Sequence, residues 1–177
     1  MRKVSIWWFC GIISLLPVLS AFAPAGKKGV QWQPIAQLAA QLPPDGKPVL
    51  VDVYTDWCTY CKLMDATTWQ HDSVVQYIQA NYVPIKLNAE RKDSLRWDGE
   101  VFRYQPKFKV HQLAVKLLRG NMVYPSTVII PAKGEWQVIP GAIKPKDLEL
   151  VLKYYGSRAN EQMDFVSYQR QFSGKWK

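Results

Sequence analysis

Residues 57–62 have the sequence WCTYCK, in which two residues separate Cys58 from Cys61. An apolar run over residues 48–54 precedes them and predicts a buried strand. Residues 62–66 predict a helix, and this helix begins at the two cysteines. A cysteine at a helix N-terminus lies beside unpaired N–H groups and the positive end of the helix dipole, which favour its thiolate. The second cysteine lies one turn later on the same face, so the pair has the arrangement that dithiol–disulfide exchange requires.

The spacing predicts different roles for the two sulfurs. Cys58, exposed at the helix start, is the predicted nucleophile, and Cys61 is the predicted resolving thiol, more buried and protonated until it reacts. A static disulfide is the competing interpretation. Zinc is disfavoured, because His71 and His111 are the only histidines and have no ligand-like spacing to the pair. We interpret both as polar residues near helix starts. Lys62 follows the pair where a haem-attachment motif has histidine.

The N-terminus has the pattern of an export signal. Arg2 and Lys3 precede an apolar run over residues 6–19, and residues 23–25 (APA) offer a small-residue cleavage site. We therefore predict that residues 1–25 are a secretory signal peptide and that the protein is exported to the periplasm. An uncleaved N-terminal anchor is the alternative, since about 20 mostly apolar residues are long enough to span a bilayer.

The cysteine count separates this chain from disulfide-stapled secreted proteins. Of its three cysteines, Cys10 lies in the predicted signal, which leaves Cys58 and Cys61. A mature chain of about 150 residues forms one domain that buries a sizeable core without staples. A single tight pair in such a chain indicates redox chemistry rather than a disulfide scaffold.

The chain is basic, with a formal net charge of +9. Residues 86–119 contain nine Lys or Arg and four Asp or Glu, a net charge of +5. A basic patch is one feature of nucleic-acid binding, but the predicted export argues against that partner. We interpret the patch as a solvated face, or as a surface that steers acidic proteins or anionic membranes.

Apolar periodicity predicts alternating helices and strands between residues 26 and 156. The predicted helices are residues 32–42, the segment from the cysteines to 66, residues 72–78 with Asp72 or Ser73 as cap, residues 113–118 stopped by Gly120, and a last helix opened by Pro145. The buried face of that last helix is predicted to carry Leu148, Val151, Leu152 and Tyr155. The predicted strands are residues 48–54, 82–87, 127–130 and 135–139. The first strands alternate with helices and should be parallel, whereas the last two form a hairpin. We predict an α/β fold, a central mixed sheet of about four strands flanked by helices on both faces.

Two segments do not fit this alternation. The insertion (residues 91–110) is polar, basic and aromatic, with Asp98-Gly99 as a hairpin signal between residues 95–97 and 101–104. The C-terminal extension (residues 157–177) carries several large apolar side chains, some at helical spacing. It either packs on the domain or lies on a partner.

The element order resembles the thioredoxin superfamily from about Trp32 to Gly156. The residues that carry this resemblance are Asp52, six residues before Cys58; the WCTYCK motif; residues 124–127 (YPST), similar to the cis-proline segment of the family; Lys86, similar to a lysine near the buried carboxylate; and Gly141 after the hairpin. Residues 56–58 (DWC) and 62–65 (KLMD) resemble exported bacterial thioredoxin-like proteins. Thr59-Tyr60 differs from the residues between the cysteines of classical thioredoxin and of the strong periplasmic oxidase.

The resemblance implies roles for the residues around the pair. Asp52, buried near Cys61, would take and return the proton of that thiol, since burial raises the pKa of a carboxyl group; a strand-end aspartate facing water is the alternative. Lys86 either pairs with Asp52 and tunes it or is an ordinary solvent-facing lysine. Pro125 in the cis form would lie against the disulfide and free the backbone of Tyr124 for an extended substrate. In a substrate-binding role, Trp57 and Tyr60 wall the cysteine; core packing is the default for such aromatics.

We interpret the chain as an exported thiol–disulfide oxidoreductase of thioredoxin-like fold that reduces protein disulfides. The dithiol is itself the redox group, so no organic cofactor and no metal are expected. The partners would be protein thiol or disulfide substrates and an electron donor at the membrane. The rival is a binding or chaperone-like module that would hold a partner through the basic insertion and the aromatic C-terminal extension, with vestigial cysteines. Copper delivery through Cys58, Cys61 and a histidine is a third possibility.

Overall fold

A mixed four-stranded sheet forms the centre of the molecule. The structure is a computed structural model that describes residues 29–35 and 46–177. The elements of these residues are β1 (Val49–Tyr54), α1 (Thr59–Ala66), α2 (Asp72–Asn81), β2 (Val83–Asn88), β3 (Leu95–Trp97), β4 (Glu100–Phe102), β5 (Tyr104–Gln105), β6 (Val110–His111), α3 (Gln112–Leu117), β7 (Ser126–Ile130), β8 (Gln137–Pro140), α4 (Pro145–Gly156) and α5 (Phe165–Gln171). Within the described residues, no helix is long and apolar enough to cross a membrane.

The strand order in this sheet is β2-β1-β7-β8. β1 is parallel to β2, with Asp52 opposite Lys86, and antiparallel to β7, with Asp52 opposite Thr127. β7 and β8 are antiparallel neighbours. The predicted mixed sheet of four strands is confirmed, and β1 and β2 are parallel as expected. The expectation is wrong for β7, which follows α3 in the chain but is antiparallel to β1.

Side chains of β1 alternate between two hydrophobic cores, one on each face of the sheet. Val49, Val51 and Val53 pack in the core that includes α3. Leu50 packs in the core that α1, α2 and α4 cover. The alternation confirms helices on both faces, and it places Asp52 on the face that α1 covers.

The N-terminal segment differs from the prediction of a helix beginning at Trp32. Gln33 forms a parallel bridge with Ile85 at the outer edge of β2, and the Trp32 ring packs edge-on against Trp69. The extended backbone here forms hydrogen bonds with the edge strand of the sheet, which a helix could not do. The rest of the predicted helix and the predicted signal peptide lie outside the described residues.

The insertion folds as two short ribbons rather than one hairpin. β3 and β4 pair around Asp98-Gly99, and both turn residues have positive φ, as the hairpin signal predicts. Tyr104, predicted in the second strand of that hairpin, instead pairs with His111 in the β5–β6 ribbon. The buried side chains of β3 and β4 join the core under α3, so the insertion is part of the main packing.

His111 fixes the end of the second ribbon to the domain. Its Nδ1 accepts the backbone N–H of Leu113 at the start of α3, so Nε2 carries the proton and donates to the Asp93 carbonyl at 3.0 Å. Its backbone N–H donates to Ala89 O at 2.7 Å. Because His111 is fully buried, its pKa is lowered, mainly by desolvation. The interpretation of His111 as a polar residue at a helix start is confirmed.

Several element boundaries differ from the predictions for physical reasons. β8 begins at Gln137 rather than at Glu135, since the Trp136 carbonyl accepts from Arg119 instead of from a strand. The cap residue of α2 is His71, which makes no side-chain capping bond, and Asp72 lies in the first turn.

The buried face of α4 also differs from the prediction. Leu148 and Leu152 are buried as expected, but Glu149 and Tyr154 are buried where Val151 and Tyr155 were predicted.

The C-terminal extension packs on the domain, which explains the burial of Glu149 and Tyr154. Rings of Phe165 and Tyr168 contact Tyr154, and Trp176 contacts Tyr77. One carboxylate oxygen of Glu149 accepts the backbone N–H groups of Lys175 and Trp176 at 2.7 and 2.8 Å. Burial raises the pKa of Glu149, but these donors and Lys153 outweigh it, and the net pKa is lowered.

Glu149→Ala is therefore expected to destabilise the fold by about 2–3 kcal/mol, because two backbone N–H groups of the extension lose a charged, buried acceptor. Denaturant unfolding measures this, and cleavage by chymotrypsin near Trp176 reports release of the extension. Since the folded pKa is below the unfolded one, the contribution of Glu149 is present above the unfolded pKa and disappears as the pH falls through the folded one.

Glu135→Ala provides the matched control. Glu135 forms an exposed ion pair with Arg119 at 3.3 Å, so its loss should change the stability by less than about 0.5 kcal/mol. Equal effects of the two substitutions would contradict an anchoring role for Glu149.

Candidate functional site

The two cysteines lie at the junction of β1 and α1. Cys58 is the N-cap of α1, and its Sγ accepts the backbone N–H of Cys61 at 3.0 Å. The two sulfurs form a disulfide, with the Cα atoms 5.3 Å apart. A donor aimed at Sγ, together with the helix dipole, favours the thiolate of Cys58 when the pair is reduced.

Cys58 is not exposed, contrary to the prediction. The exposed fraction is 5% for Cys58 and 4% for Cys61, so the two residues are almost equally buried. The physical reason is the capping geometry, which turns the sulfur of Cys58 inward over the first turn of α1. A partner disulfide must therefore approach through the surface around the pair.

That surface is aromatic and open to solvent. Trp57 and Tyr60 are 64% and 65% exposed, and neither packs in the core, which was the alternative for both. The Trp57 ring meets the Tyr124 ring edge-on, with the centroids 6.0 Å apart. The Tyr124–Pro125 peptide bond is cis, the form that the resemblance implies. Trp57 and Tyr60 thus form an exposed aromatic surface next to the pair.

Asp52 is buried under α1, and one of its carboxylate oxygens, Oδ1, has no hydrogen-bond partner. Desolvation raises the pKa of Asp52 to about 7, while Lys86 lowers it and Asp65 raises it. Lys86 Nζ lies 3.6 Å from Asp52 Oδ2. The structure thus places Asp52 away from water and Lys86 beside it, whereas the functional roles of both residues stay predictions. A carboxyl group with a pKa near neutrality can exchange a proton at physiological pH.

Sequence reasoning missed Asp65, which completes this charged cluster. Asp65 forms a close ion pair with Lys86, and Lys86 thereby bridges two carboxylates. The spacing from Cys61 to Asp65 is four residues, so both lie on one face of α1. That spacing was the available signal. Asp65 therefore lies on the helix face that carries Cys61, and Lys86 connects it to Asp52.

Asp65→Asn is expected to lower the pKa of Asp52 from about 7, because a repulsive charge is removed and Lys86 is left with one carboxylate partner. Carboxyl carbon chemical shifts followed against pH measure this pKa directly. Asp56→Asn is the matched control, since Asp56 is exposed and bonds to Asn88. An unchanged pKa in Asp65→Asn, or an equal change in the control, would show that Asp65 does not act on Asp52.

The histidines are placed at other helices. His71 precedes α2 and His111 precedes α3, so the structure gives each a position at a helix start. Among residues 29–35 and 46–177, no group of three or more His, Cys, Asp or Glu side chains could hold a metal ion.

The strand order, the cis proline and a buried cysteine pair at the N-terminus of α1 define a class, the thioredoxin-fold proteins with a redox-type cysteine pair. A family model described as "Thioredoxin-like domain" matches residues 35–156, and the chain belongs to this family. Among solved structures, a thioredoxin-fold protein from Helicobacter pylori superposes with a TM-score of 0.56 at 12% identity, covering 77% of this chain and 88% of that one. This likeness shows the fold.

Two curated relatives resemble part of the chain. A stretch of 58 residues is 31% identical to the thiol:disulfide interchange protein DsbD of Campylobacter jejuni, covering 33% of this chain and 10% of that protein. A stretch of 51 residues is 39% identical to the protein of the same name from Yersinia pestis, covering 27% and 9%. The match thus spans about a tenth of these relatives. Together with the fold and the cysteine pair, it supports a thiol–disulfide oxidoreductase in general terms.

Proposed function

We propose that this protein is exported and reduces disulfide bonds of other proteins through Cys58 and Cys61. The observation that carries the proposal is the buried pair at the start of α1, the helix that Lys86 connects to the buried carboxylate of Asp52 through Asp65. A capped sulfur, a second sulfur one turn on and a proton acceptor with a pKa of about 7 are the groups that disulfide exchange requires.

The reaction proceeds in two exchange steps from the reduced pair. The Cys58 thiolate attacks one sulfur of the substrate disulfide, forms a mixed disulfide and releases the other substrate sulfur as a thiolate. Cys61, after losing its proton, attacks Cys58 in the mixed disulfide and releases the second substrate thiolate. Two electrons pass to the substrate, and the protein is left with its Cys58–Cys61 disulfide.

Asp52 takes the proton from Cys61 in the second step and returns it when the pair is reduced again. Its burial supports this role, because the uncharged carboxyl and the carboxylate are close in free energy near pH 7. Lys86 stabilises the carboxylate form, and Asp65 limits that stabilisation. Asp65 and Lys86 are thus positioning residues in the proposal.

The reducing direction and the location are inferred from the sequence. No histidine lies between the cysteines to stabilise the thiolate strongly, which is the property that makes a dithiol a strong oxidant. The predicted signal peptide favours export, and an oxidising compartment requires dedicated reductants. The enzyme would in turn receive electrons from a membrane protein that presents a dithiol. The name of the curated relatives, thiol:disulfide interchange protein, is consistent with such an exchange.

The reduction potential of the cysteine pair tests the direction. Equilibration with dithiothreitol or glutathione buffers, followed by quantification of free thiols, should give a value near the thioredoxin potential of about −270 mV. A value near about −120 mV would make the protein an oxidase or isomerase. A pair that does not cycle would contradict the enzyme and favour the binding module.

The rival function, a binding module, was predicted to hold its partner through the C-terminal extension and the basic insertion. The aromatic side chains of the C-terminal extension pack on Tyr154 and Tyr77 of the domain, so they are not presented to a partner. The basic insertion remains as its contact surface. The two functions differ in their dependence on Cys58, because only reduction requires the sulfur.

A further inference from the structure

A groove with a volume of about 730 Å³ lies beside the cysteine pair. Trp57 and Tyr124 line it together with three residues of the insertion, Phe108, Lys109 and Val110. Trp57 precedes Cys58 in the chain, so the groove is continuous with the surface that a partner disulfide must cross. Its volume is within the range of pockets that bind small ligands, so it has room for a large side chain.

Phe108 is an exposed aromatic residue on a rigid turn. Its exposed fraction is 68%. The turn is closed by backbone bonds from Phe108 to Gln105 and from Lys109 to Pro106, and the β5–β6 ribbon that carries it is fixed by buried His111. Because Phe108 lines the groove, its ring forms one apolar surface with Trp57 and Tyr124 rather than an isolated exposed side chain.

The charge around the groove is asymmetric. Residues 103–119 contain five Lys or Arg and no Asp or Glu. Lys107 lies over the ring of Phe108 at 5.5 Å, and neither Lys107 nor Lys109 has a carboxylate partner within the part of the chain that the structure describes. Glu90 lines the groove near Tyr124, where its charge contributes to the raised pKa of that tyrosine after burial. Positive charge therefore marks the Phe108 end of the groove.

We propose that this groove binds an aromatic or large aliphatic side chain of the protein substrate close to its reactive cysteine. Lys107 and Lys109 favour substrates with an acidic residue beside that side chain. The inference rests on the proposed function and adds a substrate class to it: segments in which a cysteine, an apolar side chain and an acidic residue are neighbours. The insertion is then the specificity-determining part of the enzyme.

The test compares matched synthetic peptides as substrates of the reduced full chain. Each peptide has one cysteine oxidised as a mixed disulfide with thionitrobenzoate, next to Phe-Asp, Ala-Asp or Phe-Lys. Attack by Cys58 releases coloured thionitrobenzoate, so absorbance gives the rate of the first exchange step. We expect the Phe-Asp peptide to react about tenfold faster than the Ala-Asp peptide, a factor that corresponds to about 1.4 kcal/mol.

Two variants locate the preference. Phe108→Ala should reduce the ratio of the Phe-Asp to the Ala-Asp rate to about twofold or less, because the wall that contacts the aromatic ring is removed. Lys107→Glu with Lys109→Glu should invert the preference for Phe-Asp over Phe-Lys. The matched controls are Val166→Ala, an exposed apolar side chain on α5, and Lys146→Glu, an exposed lysine on α4. Both controls should keep the ratios of the unaltered chain.

A second readout separates this inference from the proposed function. Fluorescence anisotropy measures the binding of labelled peptides, with serine in place of cysteine, to the oxidised chain. Binding that depends on Phe108 without any exchange would overturn the reductase and support the groove. Exchange with the same peptide ratio in Phe108→Ala as in the unaltered chain would overturn the groove and support the reductase. A third outcome is that Phe108→Ala leaves the peptide ratios unchanged but binds phosphatidylglycerol vesicles more weakly than the unaltered chain does. That result would assign the surface to membranes and overturn the inference.

Discussion

Cys58→Ser is expected to lower the rate of disulfide reduction by at least about a thousandfold, because a serine hydroxyl is not ionised near neutral pH and does not attack sulfur. The backbone donor of Cys61, which the structure aims at the Cys58 sulfur, would then face a neutral oxygen instead of a thiolate. Turnover of a peptide disulfide with dithiothreitol as the electron source measures the loss.

Cys61→Ser separates the two sulfurs. Its first exchange step should persist, while the mixed disulfide accumulates on Cys58 because nothing resolves it. Mass spectrometry of the trapped adduct then reports one substrate chain for each protein chain. Cys10→Ser is the matched control, since Cys10 belongs to the predicted signal peptide, and its rate should equal that of the unaltered chain.

The opposite pattern would reassign the chemistry. Full activity in Cys58→Ser would exclude Cys58 as the nucleophile, and an adduct on Cys61 would exchange the two roles. If Cys58→Ser lost disulfide reduction but still captured a partner protein, the oxidoreductase would remain the better account. If the unaltered chain reduced nothing and both variants captured a partner equally well, the binding module would be the better account.

Local patterns were sufficient to predict the central fold. The apolar run before Cys58 gave β1, because a strand buried on both faces has few polar residues. The Asp98-Gly99 pair gave the β3–β4 turn, since both positions have positive φ. Pro145 gave the first residue of α4, where a missing N–H has no cost. Each of these signals is local in sequence and therefore visible without the tertiary structure.

Features that depend on contacts between distant residues were not predicted. The ion pair of Lys86 with Asp65 joins β2 to α1, and no spacing in the sequence shows that the two side chains meet. Glu149 is buried because the chain returns to it 26 residues later, at Lys175. Long-range packing of this kind decides the electrostatics of the candidate site more than the motif does.

Asp52→Asn is expected to stabilise the oxidised protein by about 2–4 kcal/mol at about pH 8, since it removes a buried negative charge and keeps the shape of the side chain. The folded pKa of Asp52 is about 7 against 3.8 for the unperturbed group. Between these values the folded chain holds a proton that the unfolded chain has lost. Each pH unit therefore costs about 1.4 kcal/mol of stability, or about 4 kcal/mol over the interval. Burial of the new amide offsets part of the gain.

Thermal unfolding as a function of pH measures the effect. The midpoint of Asp52→Asn should exceed that of the unaltered chain by about 5–10 °C at about pH 8. The difference should vanish below about pH 3, where Asp52 is protonated in both the folded and the unfolded chain. Asp56→Asn, at an exposed position in the loop that follows β1, should shift the midpoint little at either pH. A constant difference across the pH range would mean that the substitution acts through packing, and a destabilised variant at pH 8 would mean that the Asp52–Lys86 pair outweighs desolvation. If Asp52→Asn were more stable but slower in disulfide exchange than the unaltered chain, the burial of Asp52 would serve the reaction at the expense of stability.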